Sequence, residues 1–93
     1  MKIVYKESFV IRLEKQLKYI SIDNPTAAKR FKNDLIAKIK AIPVHPKSHR
    51  KSIYFDDENI RDLIFKGYTI VYRITSYQIE IFGFVKYHEK PTD

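Results

Sequence analysis

The sequence predicts an α+β fold in the order strand, helix, helix, strand, strand, strand. An antiparallel helical hairpin packs on an antiparallel sheet, and a three-strand meander completes that sheet. Three observations carry this expectation. From Asn59 to Pro91 apolar residues alternate with polar ones in three consecutive runs, the period of half-buried strands. From about Ser8 to Ile42 the apolar spacing is helical instead. Asp23-Asn24-Pro25 splits that helical stretch, and a break so short makes its two helices antiparallel neighbours.

The elements follow in order. Lys2-Ile3-Val4-Tyr5 is a short strand whose place is in the same sheet as the later meander. Phe9, Leu13, Leu17 and Ile20 then line one face of a helix from about Ser8 to Ile22, with Arg12, Lys15 and Lys18 elsewhere. Ser8 is the expected N-cap, because its hydroxyl can accept from a free backbone N–H of the first turn. Asn24 caps the second helix, and Pro25 fits its first position, where the missing N–H costs nothing. Ala28, Phe31, Leu35, Ile39 and Ile42 form its apolar stripe, and Pro43 ends it. Residues 43–52 are a loop with two prolines and the basic or titratable residues His45, Lys47, His49, Arg50 and Lys51. Asp56-Asp57-Glu58-Asn59 is an acidic turn leading into the meander.

In the meander, Ile70, Tyr72 and Ile74 alternate with Val71 and Arg73. Ile79, Ile81, Gly83 and Val85 alternate with Glu80, Phe82, Phe84 and Lys86. Gly67 and Thr75-Ser76 mark the turns between runs. One face of such a meander must be buried, and the apolar stripes of the two helices are what cover it.

A chain of 93 residues is read as one domain, residues 1–93, with one modest core. Its hydrophobic fraction is 44%, which argues against disorder. The absence of cysteine excludes disulfides and thiolate metal sites. His45 and His49 have no carboxylate at metal-ligand spacing, so no metal is expected. No apolar run approaches a membrane span, and the N-terminus lacks the apolar core of a signal peptide, so the expectation is a soluble cytoplasmic protein away from the membrane. The net charge of +7 is uneven. Residues 1–51 hold 13 Lys/Arg against 4 Asp/Glu, and residues 52–93 hold 5 against 7. A basic first half suggests a polyanionic partner, nucleic acid or an acidic protein segment, beside the plainer reading of solvated helix faces.

This order and these local patterns resemble the RelE/ParE superfamily of bacterial type II toxins over nearly the whole chain. Asn24-Pro25-Thr26-Ala27-Ala28 is similar to the opening of the second helix in many ParE-like chains. The basic loop follows it. Ile60-Arg61-Asp62-Leu63, then Gly67-Tyr68-Thr69-Ile70-Val71-Tyr72-Arg73, match the family's Arg-x-Leu and Tyr-x-Ile-x-Tyr pattern. The resemblance implies a toxin neutralised by a cognate antitoxin in a hetero-oligomer, with no cofactor. It also implies one of two targets. RelE-like members cleave mRNA in the ribosomal A site, whereas ParE-like members poison DNA gyrase and need no catalytic residues.

For the nuclease, attack by a 2′-OH needs a base, an acid and cations for the phosphate. Lys51, Arg61 and Arg73, with Lys86, are the candidate phosphate-binding residues. Tyr87-His88 resembles the ending of YoeB-like ribonucleases, which makes His88 the candidate proton-transfer residue, beside Tyr87, Lys86 and Glu89. The departures weigh against this. Thr69 and Ile64 stand where RelE-like nucleases carry arginine, and Glu89 stands where YoeB-like chains carry tyrosine. Neither Thr nor Ile supplies a guanidinium fork. The expectation therefore leans to the ParE-like, gyrase-poisoning side, with Lys38 and Lys40 on the hairpin as partner-binding residues. In the plainer readings Arg61 and Arg73 pair with Asp62 or Glu80, and Tyr68, Tyr72, Phe82 and Phe84 are core.

Overall fold

Asn24 and Pro25 divide the helical half of the chain where the sequence predicts. The computed structural model describes residues 1–86. Its elements are β1 (Lys2–Tyr5), α1 (Glu7–Asp23), α2 (Pro25–Lys40), a 3-10 turn (Ile42–Val44), β2 (Arg50–Lys51), β3 (Ile60–Phe65), β4 (Tyr68–Ile74) and β5 (Gln78–Lys86). The Asn24 side chain accepts from the Ala27 N–H at 3.0 Å, and Pro25 occupies the first turn of α2. α2 stops at Lys40, short of the expected Ile42, but Ile42 still reaches the core from the 3-10 turn.

Ser8 does not cap α1. The Lys6 carbonyl accepts from the Phe9 and Val10 N–H groups at 3.0 and 3.1 Å, so the helix begins at Glu7 and Lys6 is the cap residue, two residues before the expected one. The Ser8 hydroxyl donates instead to the Phe82 carbonyl at 2.9 Å, which ties the start of α1 to β5.

The five strands lie in the order β1-β5-β4-β3-β2. The expected meander, β3-β4-β5, is antiparallel throughout. β1 runs parallel to β5, with Lys2 opposite Gln78 and Tyr5 opposite Ile81, so the sheet is mixed rather than purely antiparallel. No hairpin joins these two strands, and nothing local in the sequence dictates their sense. β2 has only two residues, too few for an alternation pattern to register.

β5 also departs from simple alternation. Val71 pairs with Gly83 but Tyr72 pairs with Ile81, so Phe82 is the extra residue of a β-bulge. The bulge slips the pattern by one. Ile79 and Ile81 face the helices before it, and after it Phe84 does, where even alternation would place Gly83 and Val85. Gly83 is required here by close approach, since a Cβ would lie 2.8 Å from the Val71 Cβ. Phe82 lies on the far side of the sheet, where alternation from Ile79 and Ile81 already places it, against Phe55 and Arg73 rather than in the core. The β3–β4 turn uses Lys66 and Gly67, both at positive φ, as a two-residue hairpin demands.

The core lies between the helical hairpin and the near face of the sheet. Leu35, Ile39, Ile70, Tyr72, Ile79 and Ile81 are fully buried within it. Aromatic rings thread it edge to edge or stacked, from Phe9 to Phe84, Tyr68, Phe31 and Phe65. The far face is partly covered too. Residues 52–59 cross it as a strap, with Phe55 against Phe82 at 5.7 Å, while Ile60, Thr69 and Val71 lie buried.

Candidate functional site

β-sheet parity separates the residues that the nuclease reading would bring together. Lys51 is paired opposite Arg61, and Arg61 opposite Tyr72, so these three side chains share one face. Arg73 follows Tyr72 and projects from the other face. Lys51, Arg61 and Arg73 therefore form no single cluster.

Each of the three also has a carboxylate. Lys51 Nζ meets Asp56 at 3.1 Å. Arg61 is only 11% exposed and is fully engaged: it donates to the Glu58 carboxylate at 3.0 Å, the Glu58 carbonyl at 2.9 Å and the His49 carbonyl at 3.2 Å. Arg73 donates to Glu80 at 3.2 Å and lies over the Phe82 ring, 4.9 Å from its centre. Hydrogen bonds from Gln78 and Arg73 hold the Glu80 carboxyl below its ordinary range. The plainer expectation for Arg73 holds in its named partner, whereas Arg61 takes Glu58 rather than Asp62. Asp62 is claimed by Arg50 at 3.2 Å and by the Ile53 N–H at 3.1 Å.

These contacts fasten the basic loop. Besides Arg61, the Tyr72 hydroxyl donates to the Pro46 carbonyl at 2.6 Å, and the His49 ring packs edge-on against Tyr72. Burial pushes the Tyr72 phenol up to about 12, and burial with the nearby Lys38 charge lowers the His49 imidazole. Both groups stay neutral near pH 7, as a packed hinge between loop and sheet requires.

On the far face, Ile64 pairs with Thr69, and Thr69 with Val85. This row contains the two positions where RelE-like nucleases carry arginine. It is apolar, apart from a Thr69 hydroxyl that finds no hydrogen-bond partner among the described residues. Lys86 is the last described residue, half-buried at the end of β5. Tyr87, His88 and Glu89 lie outside the described residues. No group of His, Asp or Glu suited to a metal ion occurs among the described residues.

Lys38 and Lys40 sit in the last turn of α2, exposed and without an ion pair among the described residues. Cations there also favour the negative end of the helix dipole. The two diverge. Lys38 borders a hollow with Phe65 and Lys66, and Lys40 borders an apolar groove of about 320 Å³ with Tyr5, Val10 and Ile36. Sequence reasoning missed a second feature, the cleft between α1 and the ends of β4 and β5, lined by Arg12, Lys15, Tyr19 and Lys86. Their spacing of three and four along α1 is the signal that could have found it.

Comparison with known proteins agrees with this architecture. Residues 3–90 match the family described as ParE toxin of type II toxin-antitoxin system, parDE. No curated protein matches the sequence. Among solved structures, the fold is similar to a chain of the chromosomal ParDE TA system from P. aeruginosa, with a TM-score of 0.74 and 13% identity, covering 92% of this chain and 95% of that one. With the family matched over nearly its whole length, and with a strand, a helical hairpin and a meander in the family's order, this chain belongs to the ParE toxin family of the RelE/ParE superfamily.

Proposed function

We propose that this toxin acts as a DNA gyrase poison, held in check by a cognate antitoxin, rather than as a ribosome-dependent mRNA endonuclease. One observation carries the choice: Lys51, Arg61 and Arg73, three of the four cations a nuclease would aim at phosphate, are divided between two sheet faces, and each of the three is neutralised by a carboxylate of its own chain. A phosphate would have to displace those partners, and the apolar Ile64–Thr69–Val85 row offers no guanidinium in their place. The hairpin differs, because Lys38 and Lys40 are exposed and hold no ion pair among the described residues. Lys38 and Lys40 are the partner-facing residues in this reading, and the cytoplasm is its place of action. No helix among the described residues is long and apolar enough to cross a membrane.

The test is a gyrase supercoiling assay run beside a purified translation system. Inhibited supercoiling that is relieved by Lys38→Glu with Lys40→Glu, and no mRNA cuts, is the expected result. Codon-phased cuts that vanish in His88→Ala, with gyrase unaffected, would instead assign the nuclease and return the site to Lys86, Tyr87, His88 and Glu89.

A further inference from the structure

Arg12, Lys15 and Tyr19 recur along α1 at helical spacing and share one face. That face overhangs the point where Lys86 ends β5, and the two enclose an open cleft of about 540 Å³. Its floor is aromatic: Phe84 and Tyr68 stack with centroids 4.9 Å apart and planes 14° from parallel. The cleft opens on the helical side of the sheet, away from the Ile64–Thr69–Val85 row.

The charge state of this cleft is unlike that of the sheet. No carboxylate lines it among the described residues. Arg12, Lys15 and Lys86 have no ion pair there, although five other cations each hold one. Like charges gathered around one concavity repel one another and focus a positive potential into it. A bound anion relieves that repulsion. The volume is in the range of small-ligand sites. Tyr19 stands at the rim with 69% of its surface exposed, beside the cations. Cations for phosphate next to an exposed ring for a base face are the two features that recognise a nucleoside phosphate. An acidic peptide would engage the cations and leave the ring unused.

We infer that this cleft binds a nucleoside phosphate, with Arg12, Lys15 and Lys86 on the phosphate and Tyr19 against the base. The ligand is a free nucleotide or one unit of a single nucleic-acid strand, which share this chemistry. The cleft shares no lining residue with the hollows that Lys38 and Lys40 border, so its test is independent of the gyrase reading.

The experiment is calorimetric titration of the full chain with ATP, tripolyphosphate, an oligothymidylate and poly-glutamate, at low and moderate salt. ATP or the oligonucleotide should bind at one site and weaken as salt rises. Tripolyphosphate, which has no base, should bind about tenfold more weakly than ATP. Arg12→Ala with Lys15→Ala should lower affinity for every phosphate ligand about tenfold or more, while Tyr19→Ala should lower only the affinity of the base-bearing ones. Lys29→Ala, on α2 and outside the cleft, should leave these affinities unchanged. These side chains are exposed, so the variants leave the core intact. Tighter binding of the oligonucleotide than of ATP assigns the strand, and the reverse assigns the free nucleotide. Absence of binding, tripolyphosphate binding as tightly as ATP, binding of poly-glutamate alone, or affinity indifferent to the Arg12 and Lys15 changes would each overturn the assignment.

Discussion

On the helical hairpin, Arg12, Lys15, Lys18, Lys29, Arg30, Lys32, Lys38 and Lys40 are exposed and meet no carboxylate among the described residues. On the sheet side, Arg50, Lys51, Arg61 and Arg73 each hold one. The two regions carry the same kind of charge in different states. A cation bound to a carboxylate of its own chain serves to place a loop or strap. An unpaired one is repelled by its neighbours and is available to a partner. A count of basic residues in the sequence cannot separate these states, because pairing across strands depends on register.

Substitutions that break the comparison should fall in a definite order. Asp62→Ala should do the most damage. Its side chain is 0% exposed and holds both Arg50 and the Ile53 N–H, so its loss should cost about 2–3 kcal/mol, read by urea denaturation. Full stability in that variant would show that the paired cations are ornamental. Arg61→Ala should cost about 2 kcal/mol, because three acceptors lose their donor at once, and Arg61→Lys should recover only part of it. Arg73→Ala should cost less than about 1 kcal/mol, since its pair is half in solvent and its remaining contact is the Phe82 ring. Lys15→Ala and Lys38→Ala should leave stability within about 0.5 kcal/mol, as exposed positions free of such contacts do. A large loss at either lysine would erase the distinction between the two regions.

pH sharpens the same contrast. The His49 imidazole is held below its ordinary 6.5, first by burial and then by the nearby Lys38 charge. The folded chain therefore binds that proton less readily than the unfolded chain does. Stability from this source is whole above pH 6.5 and falls as the pH drops below it, until His49 protonates within the fold. His49→Gln should flatten that part of a stability–pH profile. Lys38→Ala should narrow the window by letting the imidazole titrate closer to 6.5. Glu80 acts lower on the scale: its depressed carboxyl contributes stability that is lost as pH falls through its folded value.

Much of the fold was legible because it rests on local rules. Phe31, Leu35 and Ile39 mark a helix face by spacing alone, Asn24-Pro25 announces a helix start by backbone chemistry, and Gly67 announces a hairpin. What was not legible depends on residues far apart in the chain. The Phe82 bulge brings Gly83 against Val71 on another strand, a close approach that no local pattern announces. Ser8 is not the cap because the Lys6 carbonyl already takes the Phe9 and Val10 N–H groups, while the Ser8 hydroxyl donates to Phe82 on β5. The parallel sense of β1 has no local signal. The candidate site was the least legible part, since pairing of Arg61 with Glu58 and convergence of Lys86 on α1 arise only after the strands are in register.

The place of β1 bears on how the molecule comes into being. Among the described residues its only partner strand is β5, which follows every other described strand in the chain. Contacts between chain ends are slow to form, because a long loop must close before any of them is rewarded. The hairpin's apolar stripe precedes β3, β4 and β5 in the chain, so during synthesis it must wait for them before the sheet can cover it. A chain cut before β5 would leave β1 with no strand to pair with among the described residues.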